Sequence, residues 1–172
     1  MDMLWNELHD LFDDDDGGLY DIWITNLTPL AIVNIYTLLC TAASIIPNQP
    51  TFWDKHRDQV RALESVPNAA QLVVNDEAEP FHFLVQGIVF GNVILPDLGV
   101  FVSPDMITLD YRKGPEWRST TLHALFDLFA QIQRNEPAAK ITLPDMVLPT
   151  VRQRFEQALT HYVTQGPQQD VA

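Results

Sequence analysis

Cysteine is almost absent from this chain. Cys40 is the single one among 172 residues, so no internal disulfide can form and no cysteine-based zinc cluster can assemble. That usage fits a reducing cytosol. Basic residues are scarce as well: 10 Lys and Arg stand against 23 Asp and Glu, for a formal net charge of −13. Such a surface repels nucleic acid and anionic membrane, which excludes both as partners, and attracts cations and basic proteins. The seven glycines nowhere combine into a phosphate-cradling loop. No long hydrophobic run is unbroken. The most apolar stretch, Leu27 to Ile46, is interrupted by Asn34, Thr37, Thr41 and Ser44, which argues against a membrane span. The opening "MDMLWNELHDL" carries acids where a secretory signal carries positive charge. The expectation is a soluble, cytoplasmic protein.

What is present is ample material for a core. Hydrophobic residues make up 47% of the chain, which separates it from disordered acidic chains, and the length fits one domain over 1–172. Leu4, Trp5, Leu8, Leu11 and Phe12 fall at helical spacing and predict a short N-terminal helix over 1–12. It should stop at or within Asp13–Asp16, because negative charge opposes the macrodipole at a helix C-terminus. Gly17-Gly18 can supply the left-handed turn. "LYDIWIT" alternates like a strand, with Tyr20, Ile22 and Ile24 on one face. Thr28 as N-cap and Pro29 at the first position open a helix to about Ile46. Its one narrow polar stripe predicts burial on most sides or pairing with a second subunit. A weaker helix is expected over about Phe52 to Ser65, with Trp53, Val60 and Leu63 toward the core, followed by an irregular stretch with a turn of helix. From Phe81 the chain turns β-rich. "FHFLVQGIVF", apolar on both faces, reads as a central strand, and "LGVFVS" and "MITLDYR" continue an antiparallel meander. "KGPEW" opens a helix whose buried face is Trp117, Leu122, Leu125, Phe126, Phe129 and Ile132. "AAKITLP" reads as an edge strand. A last helix starts near Pro149, and 166–172 form a frayed tail. The fold class is α+β: an antiparallel sheet of four to five strands with helices packed on it.

Most site chemistry fails on spacing. Read as an EF-hand loop with Gly18 at the sixth position, Asp13 and Asp15 fit, but Gly17 and Ile24 fall where an oxygen ligand and a bidentate Glu are needed. With Gly17 there instead, Phe12 becomes the first ligand. His9, His56, His82, His123 and His161 form no pair at i, i+3 or i, i+4, so no histidine metal site is read. His82, between Phe81 and Phe83, reads as a satisfied core or interface histidine, and His123 as a packing or surface residue. Ser44, Ser65, Ser103 and Ser119 lack a nucleophile-elbow context, and Cys40 sits on an apolar helix where a thiol is inert. A carboxylate pair can always be assembled from 23 acids and so specifies nothing. No catalytic residue, metal ligand or cofactor is assigned.

Two local concentrations of charge remain. Residues 1–80 hold 14 acids against 3 bases, and the first 21 residues hold 8 acids and no base. Asp13, Asp14, Asp15, Asp16 and Asp21 are therefore the candidate contact face for a basic partner. The competing reading is a solvated turn kept for solubility. In "LDYRKGPEWRS", Arg112, Lys113 and Arg118 surround Trp117. They offer an anchor for a carboxylate or phosphate, with Trp117 and Tyr111 as flat contact area. The competing reading is a strand-to-helix junction with a packed tryptophan. A third reading joins the two, with this patch neutralising Asp13–Asp16 within one chain or across a dimer.

The order of an N-terminal helix, "DDGGLYDIWI", a helix, "GVFVSPDMITLDYRKGPEW" and a further helix resembles small, acidic, mostly uncharacterised bacterial proteins of immunity-protein style. That resemblance implies a protein that binds and blocks a toxin, and it carries no site residue across. The leading expectation is a non-enzymatic α+β binding protein whose acidic N-terminal face engages a basic protein partner. The alternatives are a homodimeric structural or accessory protein, and a metal-dependent enzyme.

Overall fold

The computed structural model describes residues 2–166; the expected tail lies outside them except for Gly166. The protein is α+β, built on a five-stranded antiparallel sheet with two small two-stranded sheets beside it. α1 (Met3–Leu8) continues as a 3₁₀ turn over His9–Leu11, so helical structure ends before the four aspartates, as the macrodipole requires. Gly17 takes the left-handed conformation at φ +73 and turns the chain into β1 (Leu19–Thr25). α2 (Pro29–Ala42) begins as expected: the Thr28 hydroxyl accepts from the Ala31 N–H at 3.1 Å, and Pro29 occupies the first turn. It ends four residues short of Ile46, because Ala43 is extended.

The next segment departs from expectation. In place of a helix over Phe52–Ser65 there is a hairpin, β2 (Thr51–Asp54) and β3 (Gln59–Ala62), followed by one 3₁₀ turn. Of the three apolar residues expected toward the core, Leu63 alone is buried. Phe52 and Asp54 are buried in period two, while Trp53 and Val60 are exposed. Asp54 fixes the hairpin by accepting from Arg61 at 2.8 Å and from the Arg57 N–H at 3.0 Å. The short α3 (Ala69–Val74) supplies the expected turn of helix.

"FHFLVQGIVF" divides into β4 (Phe81–Val85) and β5 (Val89–Phe90). β5 pairs with β6 (Val93–Ile94) in a small hairpin inserted before β7 (Leu98–Val102) and β8 (Ile107–Arg112). β9 (Lys140–Thr142) follows α4 (Ser119–Asn135) and precedes α5 (Pro149–Gln165). The sheet order is β4-β7-β8-β1-β9. β4 is thus an edge strand and not the central one; its second apolar run belongs to the inserted hairpin. β9 is the other edge, as expected. α4 starts one residue after Arg118, so Trp117 precedes it.

Ile22, Ile24, Phe83, Val100, Leu109 and Ile141 mark the inner face of the sheet, all buried. The helices lie on that face. Tyr36 of α2 packs edge-on against Phe83, and Phe12 and Trp117 pack on Tyr111. The outer face carries Leu19, Asp21, Trp23, His82, Leu84, Phe101, Thr108, Asp110 and Arg112, and at its β9 side Thr142 and Lys140 meet Glu156 of α5. α2 buries Ile32, Ile35, Tyr36 and Leu39 within the chain and exposes its polar stripe. The apolar side of α2, on which the dimer expectation partly rested, is therefore packed within the chain.

Candidate functional site

The site begins at the acidic turn. Asp15 Oδ1 accepts from the Gly17 N–H at 3.1 Å, and Asp16 Oδ1 from the Gly18 N–H at 2.9 Å; aspartate side chains stabilise turns in this way. Asp16 Oδ2 also accepts a short hydrogen bond from the Tyr20 hydroxyl. That hydroxyl is the main reason the Asp16 carboxyl is held below its usual range, and the same bond pushes the Tyr20 phenol up. Asp13 meets His9 Nδ1 at 3.2 Å. Asp14 is exposed.

The basic cluster reaches this turn through one residue only. Lys113 Nζ lies 4.3 Å from the centre of the Tyr20 ring and donates to the Asp10 carbonyl at 3.2 Å. Backbone and aromatic contacts complete the junction: the Gly114 N–H donates to the Phe12 carbonyl at 2.9 Å, and the Tyr111 hydroxyl to the Leu11 carbonyl at 2.9 Å. Trp117 is 1% exposed, with Nε1 donating to the Arg112 carbonyl at 2.7 Å. Its ring and that of Tyr111 are therefore core, and neither offers flat contact area to a ligand. Arg112 projects on the outer sheet face, while Arg118 Nε reaches the Pro115 carbonyl at 3.5 Å. The three bases make no common contact among the described residues.

No Lys or Arg forms an ion pair with Asp13–Asp16 or Asp21 among the described residues. Six of the ten are engaged elsewhere: Arg57 and Arg61 with Asp54, Lys55 with Asp76, Lys140 with Glu156, Arg152 with Asp145, and Arg154 with Asp10. The negative charge of the turn is left facing solvent.

Asp21 leads from the turn onto the outer sheet face. In register it stands opposite Asp110, which stands opposite Gly99, which stands opposite Leu84. Burial, and then the like charge of Asp110, raise the Asp21 carboxyl, with His82 acting in the other direction. Asp110 is 8% exposed and takes His82 Nε2 at 2.6 Å on Oδ2. His82 lies on β4 and Asp110 on β8, with β7 between them, so their strands are about 10 Å apart. They meet because Gly99 has no side chain: a Cβ there would fall 2.2 Å from both Asp110 carboxylate oxygens. His82 is satisfied by this pair but exposed, so it is not the core histidine expected, and its partner was missed. The two stand 28 positions apart and are joined only by strand register, so no local spacing signals the pair.

Beside Asp110 lies a cavity of about 480 Å³, with Leu84, Leu95 and Leu19 among its apolar walls and Asp97, Glu116 and Arg112 around it. Trp23 and Phe101 lie in the next row of the same face. A second cavity, about 450 Å³, opens between α1, α4 and α5 around Asp2, His123 and His161. Its Asp2, His123, His161 and Tyr162 side chains are engaged within the chain. Asp2 accepts from Ser119, the Trp5 N–H and His123; Tyr162 donates to Asp127; His161 meets Gln165. No group of three or more His, Cys, Asp or Glu among the described residues is placed to hold a metal ion, and no described helix is long and apolar enough to cross a membrane. Compared with protein-family models, curated proteins and solved structures, the chain matches none.

Proposed function

We propose that this chain is a binding protein for a basic protein partner, in the manner of immunity and antitoxin proteins that block a toxin. The docking surface is the open sheet face, and the Asp13–Asp16 turn stands beside it. The observation that carries the reading is that no Lys or Arg among the described residues pairs with Asp13–Asp16 or Asp21, in a chain that pairs six of its ten Lys and Arg elsewhere. The acidic field steers a basic protein to the sheet. Trp23 and Phe101, 37% exposed, then offer the aromatic area on which interfaces concentrate their binding energy. The test is capture from the source cell's lysate on the immobilised protein, with elution by a salt gradient and identification by mass spectrometry. The same capture is run on a variant with Asp13–Asp16 changed to Asn. A basic protein held by the wild type, released at moderate salt and captured less by the variant is expected. The same protein held equally by the variant would sink the proposal.

A further inference from the structure

We infer that the cavity beside Asp110 is a socket for one arginine side chain of the partner; this rests on the proposed docking role and names what that surface grips. Three features of the cavity point to a guanidinium. First, Asp110 is held almost fully buried with Oδ2 on His82, while Oδ1 makes no hydrogen bond among the described residues. Among the described residues no buried side-chain polar atom is left without a partner, so Oδ1 is accessible, on a residue that lines the cavity. A carboxylate so placed lacks part of its hydration, and a donor arriving from outside restores it. Second, Gly99 lets that carboxylate lie across β7 into the lining, since its two oxygens take the space a Cβ would fill. Third, Asp97 and Glu116 stand around the same space with Leu84, Leu95 and Leu19. A planar head with five donors can bridge Asp110 and a second carboxylate, and its aliphatic stem lies along leucine.

The local charge balance favours a cation. Asp97, Asp110 and Glu116 line the cavity, and Asp21 stands opposite Asp110 in register. The one basic residue in the lining is Arg112, which forms no ion pair among the described residues. Arg112 is thus a competing charge at the mouth, and its removal sharpens the socket.

The experiment uses N-acetyl-arginine methylamide as probe, with the uncharged N-acetyl-norleucine methylamide as control, followed by amide chemical shifts of the full chain. Saturable shifts of the Gly99 and Leu84 amides by the arginine probe, and none by the control, are expected. Asp110→Asn should weaken binding at least tenfold, Glu116→Gln about threefold, and Arg112→Gln should strengthen it about threefold. The rim variants keep the test sound if Asp110→Asn fails to fold. Absence of a saturable shift at Gly99, equal response to both probes, or indifference to both rim variants would overturn the socket. Its failure is separable from that of the docking role. Loss of the probe response with retained, Asp13–Asp16-dependent capture of a basic protein removes the socket alone. A probe response without such capture removes the docking role and leaves an arginine-binding cavity.

Discussion

Two side chains on the outer sheet face show how residue-scale choices run against stability. Asp21 and Asp110 are directly opposed on neighbouring strands, and like charges in that position destabilise. Because burial and the Asp110 charge raise the Asp21 carboxyl, its protonated form is favoured in the folded state. This contribution is fully present below the ordinary carboxylate pKa and is lost as pH rises through the raised native value. Asp21→Asn should therefore stabilise the protein at pH 7 by about 0.5 kcal/mol, with the advantage vanishing at acidic pH; urea unfolding at pH 7 and pH 3.5 measures both. Gly99 is the opposite case, a position where nothing larger fits. Gly99→Ala should cost about 1–3 kcal/mol as an overpacking change. Combining it with Asp110→Ala, which removes the colliding oxygens, should cost less than the sum of the two single variants. A fully additive pair would mean that the collision is not the cause.

At the scale of elements, what was legible followed from local periodicity and local chemistry. α2 announced itself by Thr28 and Pro29, α5 by Pro149 with Phe155 and Leu159, and β1 by strict alternation. The end of helical structure before Asp13 followed from electrostatics alone. The β2–β3 hairpin was illegible because Trp53, Val60 and Leu63 mimic a helical stripe, whereas burial follows Phe52 and Asp54. The edge position of β4 was illegible because apolar character on both faces came partly from a different element, β5. The acidic half of the site could be read as a run of letters; the His82–Asp110–Gly99 half exists only across three strands. α1 depends on one residue of similarly long reach. Asp2 caps it by accepting from the Trp5 N–H at 3.0 Å and also ties it to α4 through Ser119 and His123. Burial works to raise the Asp2 carboxyl, but those hydrogen bonds outweigh it and hold the group below its usual range. The resulting stability is present above the ordinary carboxylate pKa and lost as pH falls through the lowered native value. Asp2→Ala should cost about 1 kcal/mol, as the loss of an N-cap does, and the deficit should shrink in acid. Equal deficits at pH 7 and pH 2.5 would show that the charge of Asp2 plays no part.

For the whole molecule the governing quantity is a net charge of −13 that its own bases leave unbalanced at one end. Changing Asp13–Asp16 to Asn removes four of those charges from an exposed turn whose backbone still closes, since asparagine also serves in such turns. The fold should be unaffected, because none of the four aspartates pairs with a lysine or arginine. Association is another matter. A one-signed patch accelerates encounter with an oppositely charged protein by factors of about 10 or more at low ionic strength, and salt screens it within about 10 Å at 0.1 M. With the captured partner in stopped flow, the variant should associate about tenfold more slowly than wild type at low salt. The two rates should converge as salt approaches about 1 M, where the screening length falls to about 3 Å. The dissociation rates should stay close, because the apolar contacts at Trp23 and Phe101 and the grip at Asp110 are untouched. A variant that instead dissociates faster at every salt concentration would place Asp13–Asp16 inside the interface. The acidic turn would then be part of the grip, and the open sheet face would no longer be the surface that holds the partner.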